Sequence, residues 1–232
     1  MEEEFRREFL DDFVVGAAAP RTKKTPAQLE FDKAVENHII PWLCTLIKHR
    51  LYVGPFITQK LDMHHLIQVL GVTHIINMCA ATEQVTKKAN LNKASWYTCY
   101  LDEKTTKIDA TLVRLPVPDD LNTLNETRQI AFYTGAAKHV ADLLSEANKN
   151  VLYVHNKTGF DEEAFTAILA WQMYDKKSFP AANITLWLRE NMFERVLDTE
   201  EQQALLQKAL AQSKQNEKGG MKQWLVSKKQ KK

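Results

Sequence analysis

The sequence predicts a three-layer α/β domain, in which a central, mostly parallel sheet has helices on both faces. Continuous apolar runs at residues 72–79 and 151–154 are typical of strands that are buried inside a parallel sheet. Segments with helical periodicity stand on both sides of each run, which favours helices packed on both faces. With 232 residues, 44% of them hydrophobic and 26% charged, the chain is long enough to bury one full core.

Residues 1–49 are expected to form a helical extension and linker ahead of the main domain. Residues 1–12 hold six acids and two arginines, and their apolar side chains fall on one face of a short amphipathic helix. Pro26 follows a threonine and precedes a glutamine at the spacing of a capping box, so a helix is predicted to begin there. Pro41 is expected to break or kink that helix near His38, and residues 41–47 are expected to form a short turn packed on the main body.

The main domain is expected to span residues 50–213. It opens with a predicted strand at residues 51–54 and a predicted helix at residues 61–70. A buried strand follows. Residues 81–108 are then polar and rich in lysine, and they are interpreted as an insertion around one strand at residues 96–100.

The second half of the main domain alternates predicted strands and helices. Its predicted elements are a strand over residues 111–117 and helices over residues 126–147, 161–175, 181–189 and 199–210. The helix after the central strand is apolar on most sides and is therefore expected to be buried. In the helix that comes next, Leu186 and Leu188 are expected to face the core.

Composition and termini exclude several classes of protein. No apolar run approaches the roughly 20 residues that a membrane span needs, so no membrane contact is expected. The acidic amino terminus matches neither a secretory signal nor an arginine-rich transit peptide. Cys44, Cys79 and Cys99 lack the paired spacing of metal ligands, which indicates reduced thiols, and neither a metal nor a cofactor is expected. A cytoplasmic location is predicted, with a cytoskeletal or nuclear association as an open alternative.

Residues 214–232 form a basic tail with seven lysines and one acid. The net charge of the whole chain is only +2, so a broad nucleic-acid-binding face on the main domain is not expected. Through Lys228, Lys229, Lys231 and Lys232, the tail is compatible with RNA or an acidic protein surface as its partner. It is equally compatible with a solvated charge run that aids solubility.

The stretch from residue 151 to residue 163 carries the clearest functional pattern. Four β-prone residues lead into a short loop, and a helix with three acids at its start follows. A strand, a tight loop and a helix start form the layout of an anion-binding site, because backbone amides and the helix dipole converge at the turn.

This stretch resembles the signature of dual-specificity protein phosphatases, His-Cys-x-x-Gly-x-x-Arg-Ser/Thr, and the resemblance covers roughly residues 50–213. His155 and Gly159 match the signature. Asn156 stands where the resemblance implies the nucleophilic cysteine, and Glu162 stands at the position of the phosphate-binding arginine. The chain is therefore identified as a catalytically inactive member of that family, a pseudophosphatase with a degenerate loop.

The resemblance also implies a general-acid aspartate in the loop after the strand at residues 111–117. Asp119 or Asp120 matches that position, where a vestigial acid is expected to serve as a loop or helix-capping aspartate. His155 is expected to be a hydrogen-bonded core histidine. The acids of residues 161–163 are expected to stabilise the start of their helix.

Three functions are compatible with these features. The leading hypothesis is an inactive phosphatase-like protein that acts as a protein-binding or scaffolding module. The first alternative is a structural subunit of a large cytoskeletal or ribonucleoprotein assembly, anchored by its termini. The second is an active enzyme that uses Asp119 or Asp120 with another nucleophile in a remodelled pocket, although loss of both signature residues removes the main supports of the reaction.

Overall fold

The computed structural model describes residues 26–57, 59–80, 84–86, 89–90, 110–157, 162–181, 184–191 and 199–213. Its strands are β1 (Cys44–Ile47), β2 (Leu51–Gly54), β3 (His74–Asn77), β4 (Gln84–Thr86), β5 (Ala89–Asn90), β6 (Thr111–Arg114) and β7 (Leu152–His155). Its helices are α1 (Pro26–Glu36), α2 (Lys60–His64), α3 (Glu126–Glu146), α4 (Glu162–Tyr174), α5 (Ile184–Asn191) and α6 (residues 200–213). A π-helical turn, His65–Val69, continues α2, and a 3₁₀ turn, Leu121–Thr123, precedes α3.

The centre of the fold is a five-stranded sheet with the order β1-β2-β7-β3-β6. Strands β2, β7, β3 and β6 run parallel, and only β1, at one edge, is antiparallel to its neighbour. Strand β7 lies in the middle, and all four of its residues are buried. This arrangement confirms the predicted mostly parallel sheet, because a strand that is covered on both faces needs a continuous apolar run.

Helices cover both faces of the sheet, so the predicted three layers are confirmed. Successive side chains of β7 point to opposite faces. Leu152 and Val154 pack into a cluster that includes side chains of α3, α4, α5 and α6. Tyr153 packs on the other side, with side chains from α2 and the π-helical turn such as Met63 and Leu66.

Residues 41–47 correct one expectation. The segment does not form the expected short turn, because Cys44–Ile47 is an edge strand whose Cys44 pairs with Val53 of β2. Cys44 and Leu46 are buried while Thr45 is exposed, which is the alternation of a half-covered strand. Pairing with the edge of an existing sheet has overridden the local preference of this short segment.

The helix at Ile184–Asn191 corrects a second expectation. Leu186 does not face the core: its side chain is 53% exposed. Ile184 is buried instead, and Trp187 packs against the same core cluster. The side chain of Leu188 lies outside the part of the chain that the structure describes, as do the predicted strand at residues 96–100 and both termini.

Arg50 fastens the hairpin of β1 and β2 to the end of α3. Its guanidinium donates to the carbonyl oxygens of Asn150, Leu144 and Ala147, at 2.8, 2.6 and 3.3 Å. The same group lies 5.3 Å from the ring centre of Tyr174 in α4. These bonds satisfy carbonyl groups at the end of the helix and hold the chain just before β7.

The described part of the chain contains no helix that combines the length and the apolar character needed to cross a bilayer.

Candidate functional site

The candidate site lies at the carboxyl edge of the parallel strands, where three loops meet. Asn156 follows β7, and Met78 follows β3. The backbone N–H of Met78 donates to the carbonyl of His155 at 2.8 Å, and that of Val117, beyond β6, donates to the carbonyl of Met78 at 3.2 Å. The carboxyl edge is where open α/β sheets bind ligands, so the predicted site residues lie in the expected region of the fold.

His155 ends β7 and is completely buried. Its Nδ1–H donates to the carbonyl of Asn156 at 3.1 Å. The ring stacks on Tyr153 at 5.7 Å between centroids and meets Phe56 edge-on at 5.5 Å. Burial lowers the pKa of His155 to about 4, because the charged form loses its hydration. The ring is therefore neutral near pH 7, and its bond to Asn156 helps to orient the start of the loop.

Asn156 and Glu162, the two positions at which the sequence departs from the phosphatase signature, are hydrogen-bonded to each other. Asn156 Nδ2 donates to Glu162 Oε2 at 2.8 Å. Asn156 is only 6% exposed, and Glu162 is half-buried at the first residue of α4. The bond joins Asn156, which directly follows β7, to the first residue of α4. Because its acceptor carries a full charge, it belongs to the stronger class of hydrogen bonds.

Two acids stand in the first turn of α4, Glu162 and the fully buried Glu163. The partial positive charge of a helix start stabilises carboxylates at such positions. A negative charge that belongs to the protein therefore occupies the place where the sequence pattern alone predicts an anion-binding site. Gly159, the other signature residue, lies outside the described residues.

Asp119 and Asp120 lie in the turn that follows β6, at the same edge of the sheet as Asn156, and both are exposed. Asp120 occupies the cap position of the 3₁₀ turn, where its backbone carbonyl accepts from the N–H and the hydroxyl of Thr123 at 2.8 and 2.7 Å. Its side chain forms no capping hydrogen bond. Asp120 therefore shapes this turn through its main chain, and not through its carboxylate.

One site residue was not identified from the sequence. Asn77 ends β3 and is completely buried, and its Oδ1 accepts from the backbone N–H of Cys79 at 2.8 Å. This bond links the end of β3 to the backbone that follows it, beside His155, with which Asn77 is paired across the sheet. The sequence does contain a signal that could have identified Asn77, namely a polar amide at the end of an otherwise apolar strand. A buried amide needs hydrogen-bond partners, so such a residue is expected to organise the backbone around it.

Among the residues that the structure describes, no three His, Cys, Asp or Glu side chains are grouped so that they could hold a metal ion. The thiols of Cys44 and Cys79 are buried, and burial raises the pKa of Cys44 to about 12. Cys44 is therefore a protonated thiol at neutral pH, and it is unsuited to act as a nucleophile.

The comparisons with known proteins match at the level of the fold. No protein-family model and no curated protein matches the sequence. The crystal structure of PTPMT1 superimposes with a TM-score of 0.52 at 16% identity, covering 77% of this chain and 99% of that chain. A mutant form of Tk-PTP gives 0.50 at 10% identity, with coverages of 74% and 96%. Human DUSP28 gives 0.48 at 13% identity, with coverages of 76% and 97%.

Proposed function

We propose that this chain, which has the fold of the dual-specificity phosphatases, is a catalytically inactive phosphatase-like protein that acts as a protein-binding or scaffolding module. The observation that carries the proposal is the 2.8 Å hydrogen bond from Asn156 Nδ2 to Glu162 Oε2. The resemblance in sequence assigns these two positions to the nucleophilic cysteine and the phosphate-binding arginine. Here they bind each other in place of a phosphate ester.

The first support concerns the nucleophile. Phosphatases with this signature attack phosphorus with a thiolate, which loop amides and a helix start hold in its ionised form. The side-chain amide of Asn156 cannot be activated by losing a proton near neutral pH. Its nitrogen also donates to the Glu162 carboxylate, so the amide group is held toward the start of α4.

The second support concerns phosphate binding. An arginine at the start of α4 would grip two phosphate oxygens at once, whereas Glu162 places a negative charge there. At a separation of about 5 Å and an effective dielectric of about 20, each pair of unit negative charges repels by about 3 kcal/mol. A phosphate dianion carries two such charges, so binding is opposed before the missing arginine contacts are counted. Removal of the cysteine alone could leave a phosphate trap, but this pair of substitutions removes binding as well.

The activity test uses hydrolysis of p-nitrophenyl phosphate by the full chain. We expect no vanadate-sensitive turnover above background. Asn156→Cys should remain inactive because Glu162 still repels the substrate, while Asn156→Cys combined with Glu162→Arg is expected to gain weak activity. Asn122→Cys, an exposed residue in the 3₁₀ turn, is the matched control for an added thiol. Vanadate-sensitive turnover by the parent protein would refute the proposed inactivity.

The binding role is tested separately. We propose that a protein partner contacts either the folded domain or one of the charged termini, the tail of residues 214–232 being suited to RNA or to an acidic protein surface. Affinity purification compares the full chain with versions that lack residues 1–25 or residues 214–232. A partner retained by both deletions places binding on the folded domain. A partner lost on deletion favours a subunit that its termini anchor in a larger assembly, and no saturable partner for any version would contradict the scaffold role.

A further inference from the structure

Three segments of the chain meet at the amino edge of the parallel strands, opposite the candidate site, and Arg50 contacts all three. It ends the turn between β1 and β2. Its guanidinium donates to the carbonyl oxygens of Ala147 and Asn150, between α3 and β7, and lies 5.3 Å from the ring centre of Tyr174 at the end of α4. Segments that are far apart in the sequence therefore share one surface.

Each of these segments carries exposed lysine within three residues of a group that contacts Arg50. The four residues, which we call the amino-edge lysines, are Lys48, Lys149, Lys176 and Lys177. Three residues of chain span at most about 11 Å, so the four ammonium groups lie at one edge of the domain, within a span on the order of 20 Å.

Among the described residues of the three segments, two acids accompany the amino-edge lysines. Asp175 accepts at Oδ1 from the backbone N–H of Ser178 at 3.3 Å and at Oδ2 from the Ser178 hydroxyl at 2.6 Å. Glu146 is the last residue of α3, and its charge lies close enough to His74 to raise the pKa of that imidazole against the larger, lowering effect of burial. The surface therefore has a local excess of positive charge, whereas the net charge of the whole chain is only +2.

Helix ends do not account for this excess. A cation in the last turn of a helix offsets the partial negative charge there, but the effect falls off beyond that turn. In the described helices α3 and α4, the last turn holds no basic residue. Lys149, Lys176 and Lys177 lie beyond those turns, and Lys48 lies between two strands. The amino-edge lysines are therefore suited to a charged group from outside the chain.

The chemistry of this surface favours an acidic protein segment over RNA or a membrane. Lysine has a compact charge on a flexible stem, so four lysines can follow carboxylates that are placed irregularly along a peptide. The phosphates of RNA and of an anionic bilayer form a continuous array, in which some charges would meet Glu146 and Asp175. RNA-binding surfaces also stack bases on aromatic rings, and the tyrosine of this edge, Tyr174, is half-buried beside Arg50.

We propose that the amino-edge lysines form a docking surface for an acidic segment of a protein partner, about six residues long and rich in aspartate and glutamate. An extended peptide advances about 3.3 Å per residue, so about six residues cross a surface on the order of 20 Å wide. The inference rests on the proposed binding role, to which it gives a place on the folded domain and a partner chemistry. It does not depend on the loop after β7, which lies at the other edge of the sheet.

The test measures binding of a fluorescein-labelled octaglutamate peptide to the full chain, by fluorescence anisotropy at about pH 7.5 and about 100 mM salt. We expect saturable binding that weakens as the salt concentration rises. Replacing all four amino-edge lysines by glutamine should weaken it at least about tenfold, because an exposed ion pair contributes up to about fivefold to an affinity. Replacing the same four residues by arginine keeps the charges and should keep the affinity within about threefold.

The matched control removes four positive charges from other surfaces of the domain. The residues are exposed on α1, α3 and α6, and they are Lys33, Arg128, Lys138 and Lys208. Lys208 pairs with Glu126 at the start of α3, about 30 Å along that helix from the end that Arg50 contacts. Glutamine at these four positions gives the same net charge as the amino-edge glutamine variant, but it should weaken peptide binding by less than about threefold.

Five results would overturn the inference. The first is that the parent protein shows no saturable binding of the peptide. Unchanged binding in the amino-edge glutamine variant would place the peptide on the tail of residues 214–232, and an equal loss in the control would show a response to net charge alone. Tighter binding through the same lysines to oligouridine of about 20 nucleotides, or to phosphatidylcholine vesicles with about 20% phosphatidylserine, would assign the surface to RNA or to a membrane.

Failure of this inference can be distinguished from failure of the proposed function. Phosphatase activity is measured on p-nitrophenyl phosphate, and the binding role is measured by affinity purification with the termini present or deleted. A partner that the amino-edge glutamine variant retains as well as the parent does would overturn the docking surface and leave the binding role intact.

Discussion

The hydrogen bond between Asn156 and Glu162 is expected to contribute to the free energy of unfolding, and a double-mutant cycle can measure that contribution. Asn156→Ala leaves the half-buried Glu162 carboxylate without the amide donor, and Glu162→Ala leaves a 6%-exposed amide without its charged acceptor. A hydrogen bond to a charged group contributes about 1.5–3 kcal/mol, and a carboxylate in a first helical turn about 0.3–1 kcal/mol. We therefore expect each single variant to lower the free energy of unfolding by about 2–3 kcal/mol.

The coupling between the two positions is the decisive quantity. Once one partner is gone, removing the other no longer costs the bond between them, so the double variant should be more stable than the sum of the two losses predicts by about 1–2 kcal/mol. Urea unfolding of the four proteins at pH 7.5 gives this difference directly, provided that the slope of the transition is unchanged. Glu162→Gln keeps a neutral acceptor and should lie between the parent and Glu162→Ala.

A matched control separates the hydrogen bond from the helix dipole. Glu126 is the first residue of α3, is exposed, and forms an ion pair with Lys208 at 2.5 Å. Glu126→Ala removes a first-turn carboxylate and a surface pair, which together contribute only about 1 kcal/mol. Unfolding energies of Asn156→Ala and Glu162→Ala that add within error, or a loss at Glu162 no larger than at Glu126, would refute the view that this bond holds the loop.

Three further predictions concern the fold around the site. Burial depresses the pKa of His155 to about 4, so the unfolded chain binds more protons below pH 6.5, and about 3 kcal/mol of stability should be lost as the pH falls from about 6.5 to about 4. Gly54→Ala should destabilise by about 1–3 kcal/mol, because a Cβ there would lie 2.8 Å from the Trp42 ring and 2.9 Å from the Tyr153 hydroxyl. Gly135→Ala should stabilise by about 1 kcal/mol, since a Cβ on this exposed position within α3 meets nothing within 4 Å.

Denaturant unfolding measures all three, with distinct controls. The pH series uses His155→Gln, whose stability should change less between pH 6.5 and pH 4.5, and a parallel slope for both proteins would contradict the role given to His155. Gly71→Ala is the control for Gly54→Ala, because it measures the cost of backbone strain without steric crowding. Gly71 has a φ of 71° and open space around it. A Gly54→Ala variant that is as stable as the parent would show that the packing at Gly54 differs from the one described. A Gly135→Ala variant with a lower denaturant midpoint than the parent would show the same for Gly135.

The sequence alone determined the layers of the fold and the position of the candidate loop. A continuous apolar run identifies a strand that is covered on both faces, and β7 is such a strand. A long segment in which apolar residues recur with helical periodicity identifies a helix that packs on one face of the sheet. Helix α3 spans Glu126–Glu146, and the sequence predicts a helix over residues 126–147. Its cap is local as well, since Asn125 Oδ1 accepts from the N–H of Arg128 at 3.0 Å. Periodicity and caps are short-range properties, so they can be identified without a partner.

Contacts between segments that are distant in the sequence depend on the tertiary structure and could not be predicted from the sequence. Residues 44–47 became a strand because β2 offered an unpaired edge, a preference that the segment does not encode by itself. Leu186 turned outward because Ile184 and Trp187 occupy the neighbouring core. The substitutions at Asn156 and Glu162 are visible in the sequence, but the bond between them depends on how the chain turns between β7 and α4. The same holds for His38 and Asp62, 24 residues apart, because the packing of α1 on α2 brings an imidazole and a carboxylate to 2.6 Å.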